Sequence, residues 1–160
     1  MSGQSFGEVV ELTWQGGLRF EARAGDVTVV LDSERRAGLS PVQALAVSLA
    51  GCMAMDVVDI LQKGRFVPDG VQARLESKRR AEPPRYVTRV ALHFVVSGDV
   101  PVDRVERAIE LSRERYCSVW HSLRPDIDFR TSFEVVPTPP SDPPRAPGPQ
   151  GDERHGVTDR

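Results

Sequence analysis

Two cysteines carry the most nucleophilic side chains of this sequence, and they suggest thiol chemistry. Cys52 lies in the segment SLAGCMAMDVV, and Cys117 lies in the segment ERYCSVW. If Cys52 forms a thiolate, a hydroperoxide can oxidise it to a sulfenic acid and leave as an alcohol. Cys117 would then condense with the sulfenic acid to a disulfide, which a low-molecular-weight or protein dithiol would reduce. The alternative for each cysteine is a buried residue that only packs, since free cysteine behaves as a small apolar side chain.

A thiolate at Cys52 requires a nearby cation, because an apolar helix raises the pKa of a thiol. The candidates are Arg19, Arg23, Arg35, Arg36 and His121. The alternative for the arginines is an ordinary solvated charge, since Arg19 and Arg23 alternate onto the polar face of their strand. The residue types alone leave this choice open.

A metal site is the other chemistry that these residues could support. Cys117 and His121 are four residues apart, so they could share one helical face and offer two ligands. A zinc site needs three or four protein ligands, and neither His93 nor an acidic cluster clearly completes this one. We therefore expect no metal and no bound cofactor.

The composition describes an ordinary globular chain of 160 residues with a formal net charge of -2. Nucleic acids and anionic membranes bind clustered Lys and Arg, so we expect neither as a partner. The N-terminal residues lack the basic and then apolar pattern of a secretory signal, and the longest uncharged apolar stretch is too short to span a bilayer. We expect a cytoplasmic protein, where cysteines seldom form structural disulfides.

Alternation of apolar and polar residues predicts short, half-buried strands along most of the chain. Gly16-Gly17 and Gly25-Asp26 supply the tight turns of an antiparallel meander at the start. We expect a single sheet of six strands. Its inward-facing residues are, strand by strand, Val10, Leu12 and Trp14; Leu18, Phe20 and Ala22; Val27, Val29 and Leu31; Val71, Ala73 and Leu75; Val90, Leu92, Phe94 and Val96; and Ile127, Phe129, Phe133 and Val135.

Two helices must position the cysteines. Ser40 is a suitable N-cap, Pro41 suits the first helical position and Gly64 can end the helix, which predicts about 23 residues and about 35 Å. Residues 44–55 of this helix carry no charge on any face. A second, amphipathic helix is expected near residues 102–116, so that Cys117 follows its end. The fold class predicted is α+β, with a mostly antiparallel sheet packed on two central helices.

The uncharged first helix predicts an obligate homodimer. A helix that is apolar on every side must be surrounded, and one sheet covers only one side of it. We expect the two apolar helices of a dimer to meet at the middle, with the sheets outside. The alternative is a monomer whose second helix and loops cover the remainder.

The residues from Pro137 onward differ in composition from the rest. PTPPSDPPRAPGPQGDERHGVTDR combines many prolines with almost no apolar residue, which predicts a disordered tail over residues 137–160 after a single domain over residues 1–136. Such a tail could dock into an aromatic groove as an extended helix, or it could only solubilise the protein.

Two motifs resemble the OsmC/Ohr family, named for osmotically inducible protein C and organic hydroperoxide resistance protein. They are SPVQALAVSLAGC around the first cysteine and LSRERYCSVWHSL around the second, and VVLDSERRAGLSP and FVVSGDVPVDRVERAIELS also fit. The resemblance extends from about Gly7 to Val136. It implies an α+β intertwined homodimer in which Cys52 attacks the peroxide and Cys117 resolves the sulfenic acid. It also implies organic hydroperoxides as substrates and lipoyl-type dithiols as reductants.

One position departs from the family pattern. The peroxidase branches carry a glutamate directly after the helix-initiating proline, where this chain has Val42. Gln43 is polar but lacks the charge that orients a guanidinium. The family's arginine lies near the N-terminal hairpin, where this chain has WQGGLRF with Arg19. The chain thus resembles an OsmC-like branch that keeps both cysteines without the full activating set.

The predicted function is a cysteine-dependent peroxidase that reduces organic hydroperoxides in defence against oxidative stress. Val42 supports an alternative, a non-catalytic module that binds a small hydrophobic ligand in the apolar dimer cleft. A second alternative is a thiol redox sensor or disulfide exchanger that acts on a protein partner.

Overall fold

The computed structural model describes residue 7 and residues 9–138. These residues form six strands, three α-helices and one π-helical segment. In chain order they are β1 (Val10–Trp14), β2 (Arg19–Ala24), β3 (Val27–Asp32), α1 (Pro41–Lys63), β4 (Gly70–Arg79), β5 (Val87–Ser97), α2 (Val102–Leu111), the π segment (Ser112–Tyr116), α3 (Ser118–His121) and β6 (Asp128–Val136). The α+β class predicted from the sequence is confirmed. The tail predicted to be disordered lies outside the described residues from residue 139 onward.

The strands form two sheets of three, so the prediction of a single six-stranded sheet is wrong. The first sheet is the antiparallel meander β1-β2-β3. In the second sheet β4 pairs antiparallel with β5, and β6 pairs parallel with β5. The connections between the strands explain this arrangement. The helix α1 carries the chain away from β3, so β4 starts a second sheet. The helices between β5 and β6 form a crossover connection, which makes β6 parallel to β5.

Local signals fix both ends of α1, as predicted. The backbone N–H of Gln43 donates to Ser40 Oγ at 3.3 Å, and the N–H of Ser40 donates to Gln43 Oε1 at 3.0 Å. This reciprocal pair satisfies two N–H groups that the first turn leaves free. Pro41 stands at the start of the helix, and Gly64 follows its last residue and donates to Ile60 O at 3.0 Å.

Asp32 organises the loop that leads into α1. Its Oδ1 accepts from the N–H of Glu34 at 2.9 Å, and its Oδ2 accepts from the N–H groups of Arg36 at 3.1 Å and Ala37 at 3.0 Å. The hydrogen bond from Ala37, and then that from Glu34, lowers the pKa of this carboxyl. The loop therefore depends on an ionised aspartate for its backbone hydrogen bonds.

The core lies between one stripe of α1, the second sheet and α2. Residues four apart on α1 are fully buried: Leu49, Met53, Val57 and Leu61. They pack with buried residues of β5 and α2, namely Val90, Leu92, Phe94, Val96, Val105, Ala108 and Ile109. Among the described helices α1 is long and apolar enough to cross a membrane, although its uncharged stretch was expected to be too short for a span.

The first sheet has an apolar face that is largely exposed in the described chain. Cross-strand neighbours place the predicted inward residues of its three strands on one face, except Leu18, which precedes β2. Trp14 is 65% exposed and Leu12 is 54% exposed. The opposite side of α1 from the buried stripe is also open, and Met55 there is 74% exposed.

Candidate thiol site

The two cysteines come together on adjacent elements. Cys52 lies in the middle of α1, and Cys117 follows the π segment and is the N-cap of α3. Their sulfur atoms lie within 4.8 Å of each other, although 65 positions separate the residues in the sequence. Both thiols are free. The approach of the two sulfurs, which the sequence alone left open, is therefore a property of the fold.

Backbone geometry holds Cys117 in place. Its N–H donates to Ser112 O at 2.8 Å, which closes the wide turn of the π segment. Its Sγ accepts from the N–H of Trp120 at 3.4 Å and so caps the first turn of α3. The residue is fully buried. Cys117 is thus fixed from both sides, with its sulfur directed to α1.

The surroundings of Cys117 favour the neutral thiol. Burial raises its pKa from 9.0 to about 11. The hydrogen bond from Trp120 acts in the opposite direction, whereas Cys52 and Asp56 raise the pKa further. Cys117 therefore holds its proton at neutral pH.

Cys52 is more accessible than Cys117. It is partly buried, and the preceding residue, Gly51, lies on the open side of α1. A Cβ atom added to Gly51 would meet nothing within 4 Å. A small molecule or a second chain can therefore approach this part of the helix closely, as the glycine predicts.

Asp56 is a member of the site that sequence reasoning missed. It lies one turn after Cys52, and a carboxylate oxygen of Asp56 lies within 4.8 Å of both cysteine sulfurs. Its Oδ2 accepts a hydrogen bond of 2.7 Å from Ser112 Oγ. The spacing of four residues from Cys52 was a visible signal, because such residues share a helical face.

None of the candidate cations from the sequence contributes to the pKa of Cys117 within the described chain. The side chain of Arg36 pairs with Glu34 at 3.4 Å and is largely exposed. Arg19 is exposed and acts on Asp32. Arg23, Arg35 and His121 are exposed as well. His121, which the sequence offered as a possible second ligand beside Cys117, is not in the described group of possible ligands, which joins Cys117 to Cys52 and Asp56.

An open groove borders the site on one side. Asp56 lines it together with Asp59, Ile60, Lys63, Leu111 and Tyr116. Lys63 donates to Asp59 Oδ2 at 2.6 Å, so its charge is directed to that carboxylate. The groove gives solvent a route to Asp56.

Val42 does not line the groove beside the thiol site. It lines an apolar cleft between α1 and the second sheet, together with Leu45, Leu49 and neighbouring residues. The cleft leaves about 30 Å³ for the centres of water molecules, which is room for about two waters. A charged side chain at this position would face apolar neighbours, and the cleft is too small for an organic ligand of ordinary size.

Comparison with known proteins gives the family. The model for OsmC-like proteins matches residues 32–132, which include both cysteines. Over 126 residues the chain is 39% identical to Protein YhfA of Escherichia coli strain K12, a match covering 77% of this chain and 94% of that protein.

Solved structures agree with this match. A hypothetical protein from Aquifex aeolicus VF5 is similar with a TM-score of 0.77 and 29% identity, covering 82% of this chain and 98% of that one. An organic hydroperoxide resistance protein OsmC from Legionella pneumophila has a TM-score of 0.63 and 18% identity, covering 81% and 98%. At that identity the second likeness shows the fold alone. The family match, both cysteine motifs and the fold together show that this chain belongs to the OsmC/Ohr family.

Proposed function

We propose that this chain is a cysteine-dependent peroxidase that reduces organic hydroperoxides, with Cys52 as the attacking thiol and Cys117 as the resolving thiol. The observation that carries the proposal is the distance of less than 4.8 Å between the two sulfurs. A disulfide needs an S–S distance of about 2.05 Å, which side-chain rotation can provide when the atoms start this close.

The different surroundings of the two thiols support these roles. Cys52 is partly exposed on α1, so a hydroperoxide can reach its sulfur. Cys117 is fully buried, and its raised pKa keeps it protonated and unreactive towards peroxide. Direct oxidation by the substrate thus falls on Cys52.

The proposed reaction has two steps. The thiolate of Cys52 attacks the outer oxygen of R–OOH, so that an S–O bond forms, the O–O bond breaks and the alkoxide leaves as the alcohol after protonation. The sulfur of Cys117 then attacks the sulfenic acid, an S–S bond forms, and hydroxide leaves with the thiol proton as water. A dithiol reductant restores both thiols, and a reducing cytoplasm would supply it.

The proposal includes a homodimer. The apolar face of the first sheet and the open side of α1 expose large side chains in the single chain, Leu12, Trp14 and Met55 among them. A monomer seldom exposes so much contiguous apolar surface. A second copy would bury both surfaces. It could also bring a cation to the thiol site, since no cation of the described part of one chain contributes to the pKa of Cys117.

That lack of a cation also favours a second candidate, a thiol redox sensor. A thiol with no positive charge beside it reacts slowly with peroxide. A sensor would accumulate the disulfide without rapid turnover. The site would then report oxidation to a protein partner rather than remove peroxide.

The rate and the products of oxidation separate the two candidates. Reduced protein is mixed with cumene hydroperoxide or tert-butyl hydroperoxide, free thiols are counted over time, and the disulfide is mapped by peptide mass. The peroxidase predicts fast loss of both thiols and turnover with dihydrolipoamide. Cys52→Ser should abolish turnover, and Cys117→Ser should leave a sulfenic acid that a specific reagent traps.

Two outcomes would contradict the peroxidase. Thiol loss slower than that of free cysteine would refute it outright. Formation of the disulfide without turnover, together with a mixed disulfide to a partner protein in the Cys117→Ser variant, would establish the sensor instead.

A further inference from the structure

We propose that Cys52, Asp56 and Cys117 bind a thiophilic divalent cation, Zn2+ by preference, with water as the fourth ligand. The three side chains offer two sulfur atoms and one carboxylate oxygen, and all three ligand atoms lie within 4.8 Å of one another. Sulfur ligands select zinc and related metals, whereas Mg2+ and Ca2+ prefer oxygen alone. The inference uses the sulfurs of the proposed peroxidase but does not depend on peroxide chemistry.

The separations suit a tetrahedral ion. Zinc binds thiolate sulfur at about 2.3 Å and carboxylate oxygen at about 2.0 Å, so neighbouring ligand atoms lie about 3.5–3.8 Å apart around it. The observed upper limit is 4.8 Å. Small rotations of the three side chains would therefore bring the ligands to the distances that zinc requires.

The positions of the ligands are fixed by the fold. Cys52 and Asp56 are one turn apart on α1, and Cys117 is held by the N–H of Trp120 and by Ser112 O. Three ligands on rigid elements, with one position left to water, is the arrangement of an open zinc site.

Asp56 is oriented for this role by a buried partner. Ser112 Oγ donates to Asp56 Oδ2 at 2.7 Å, and Ser112 is fully buried. This bond holds the carboxylate in place and uses only part of its acceptor capacity, so the carboxylate can still bind a metal. Hydrogen bonds of this kind orient the ligands of most metal sites and raise affinity.

Charge and access favour a cation at this place. The ligand set becomes strongly negative when the thiols ionise, and a divalent ion neutralises most of that charge. The groove lined by Asp56, Lys63 and Tyr116 gives the ion an entry path. Binding releases both thiol protons and prevents the two sulfurs from joining in a disulfide.

The test uses Co2+ as a spectroscopic probe and Zn2+ as a competitor, with full-length, reduced, chelator-treated protein and no peroxide. We expect one ion per chain, a thiolate-to-cobalt charge-transfer band and the visible bands of a tetrahedral ion, all lost when Zn2+ is added. Loss of Co2+ binding on prior disulfide formation is also expected. A protein without peroxidase activity could still bind Co2+ in this test, and an active peroxidase could fail to bind it.

Variants assign the ligands. Asp56→Asn should weaken Zn2+ binding by at least about tenfold, and Ser112→Ala should weaken it by about tenfold to a hundredfold. Asp59→Asn is the matched control, because Asp59 lines the same groove but pairs with Lys63, and it should bind as the wild type does. Circular dichroism shows whether Asp56→Asn folds. If it does not, Cys52→Ser takes its place, because Cys52 is partly exposed. This variant should lose the charge-transfer intensity of one thiolate.

The absence of a charge-transfer band in the wild-type protein would overturn the proposal. Equal Zn2+ affinity in Asp56→Asn and the wild type would overturn the assignment of the carboxylate and leave fewer ligands than zinc needs. Proton release on Zn2+ addition gives an independent readout, because a thiol must lose its proton to bind zinc.

Discussion

Ser112 holds Asp56 and Cys117 at the same time. Its Oγ donates to Asp56 Oδ2 at 2.7 Å, and its carbonyl oxygen accepts from the N–H of Cys117 at 2.8 Å. One fully buried residue therefore connects α1 to the π segment and to the second cysteine. The geometry of the thiol site depends on this residue although it bears no sulfur.

Replacement of Ser112 by alanine should destabilise the protein. The change removes a hydrogen bond to a charged group and leaves Asp56 without its buried partner, which costs about 1.5–3 kcal/mol. Urea unfolding followed by circular dichroism measures the loss. Ser122→Ala is the matched control, since Ser122 is exposed and its Oγ bonds to Ser118 O, and it should change stability by less than about 0.5 kcal/mol. Equal effects of the two substitutions would contradict the role assigned to Ser112.

Asp56→Asn should lower the pKa of Cys117. The negative carboxylate raises that pKa, and asparagine removes the charge while its carbonyl oxygen can still accept from Ser112. Burial remains, and it is the largest cause of the shift, so the pKa should be lower than with Asp56 in the same background but stay above 9.0. Ultraviolet titration of the thiolate in a Cys52→Ser background, with chelator present, measures the change.

Two comparisons secure this titration. Asp59→Asn removes a carboxylate of the same groove that is engaged with Lys63, and it should leave the Cys117 titration where it is. A double replacement of both cysteines by serine gives the tyrosine background to subtract. An unchanged midpoint in Asp56→Asn would show that the carboxylate does not act on the Cys117 sulfur.

The raised pKa of Cys117 predicts a specific loss of stability in alkali. The folded protein keeps the thiol proton up to about pH 11, whereas the unfolded chain loses it near pH 9.0. Above pH 9.0 ionisation of the thiol favours the unfolded state. The contribution of Cys117 to the free energy of unfolding is therefore fully present below pH 9.0 and is lost as pH rises towards about 11. Unfolding free energies at several pH values should decline more steeply for wild type than for Cys117→Ser. Equal declines of the unfolding free energy in the two proteins would contradict this prediction.

Local sequence signals predicted the elements better than their arrangement. Ser40, Pro41 and Gly64 marked the ends of α1 because caps act through neighbouring backbone groups. Alternation likewise revealed the strands. Which strands pair is not encoded locally, and the parallel pairing of β6 with β5 follows from the helices between them. The separation of the two sheets follows from α1, which carries the chain from β3 to β4.

The candidate site was predictable only in part. Cys52 and Cys117 were found by residue type and motif, and the end of the second helix at Cys117 was correctly expected. Asp56 was overlooked because its role depends on Ser112, 56 positions away, which only the folded chain brings near. A carboxylate at the end of an apolar run is usually solvated, so its spacing from Cys52 alone was a weak signal.

The open side of α1 should be the centre of a homodimer. Gly51 and Ser48 lie on this side, opposite the buried stripe, and permit close approach of a second helix, while Met55 projects from it with 74% exposure. A charge at Met55 would be buried on association without a partner, so Met55→Glu should shift the protein towards monomer. Gln62→Glu is the control, since Gln62 is polar and exposed near the end of α1. Sedimentation equilibrium at micromolar concentration should give twice the chain mass of 17.7 kDa for wild type and the control, and a wild-type protein that sediments as one chain would contradict the dimer, because the exposed apolar surface would then have no partner copy to cover it.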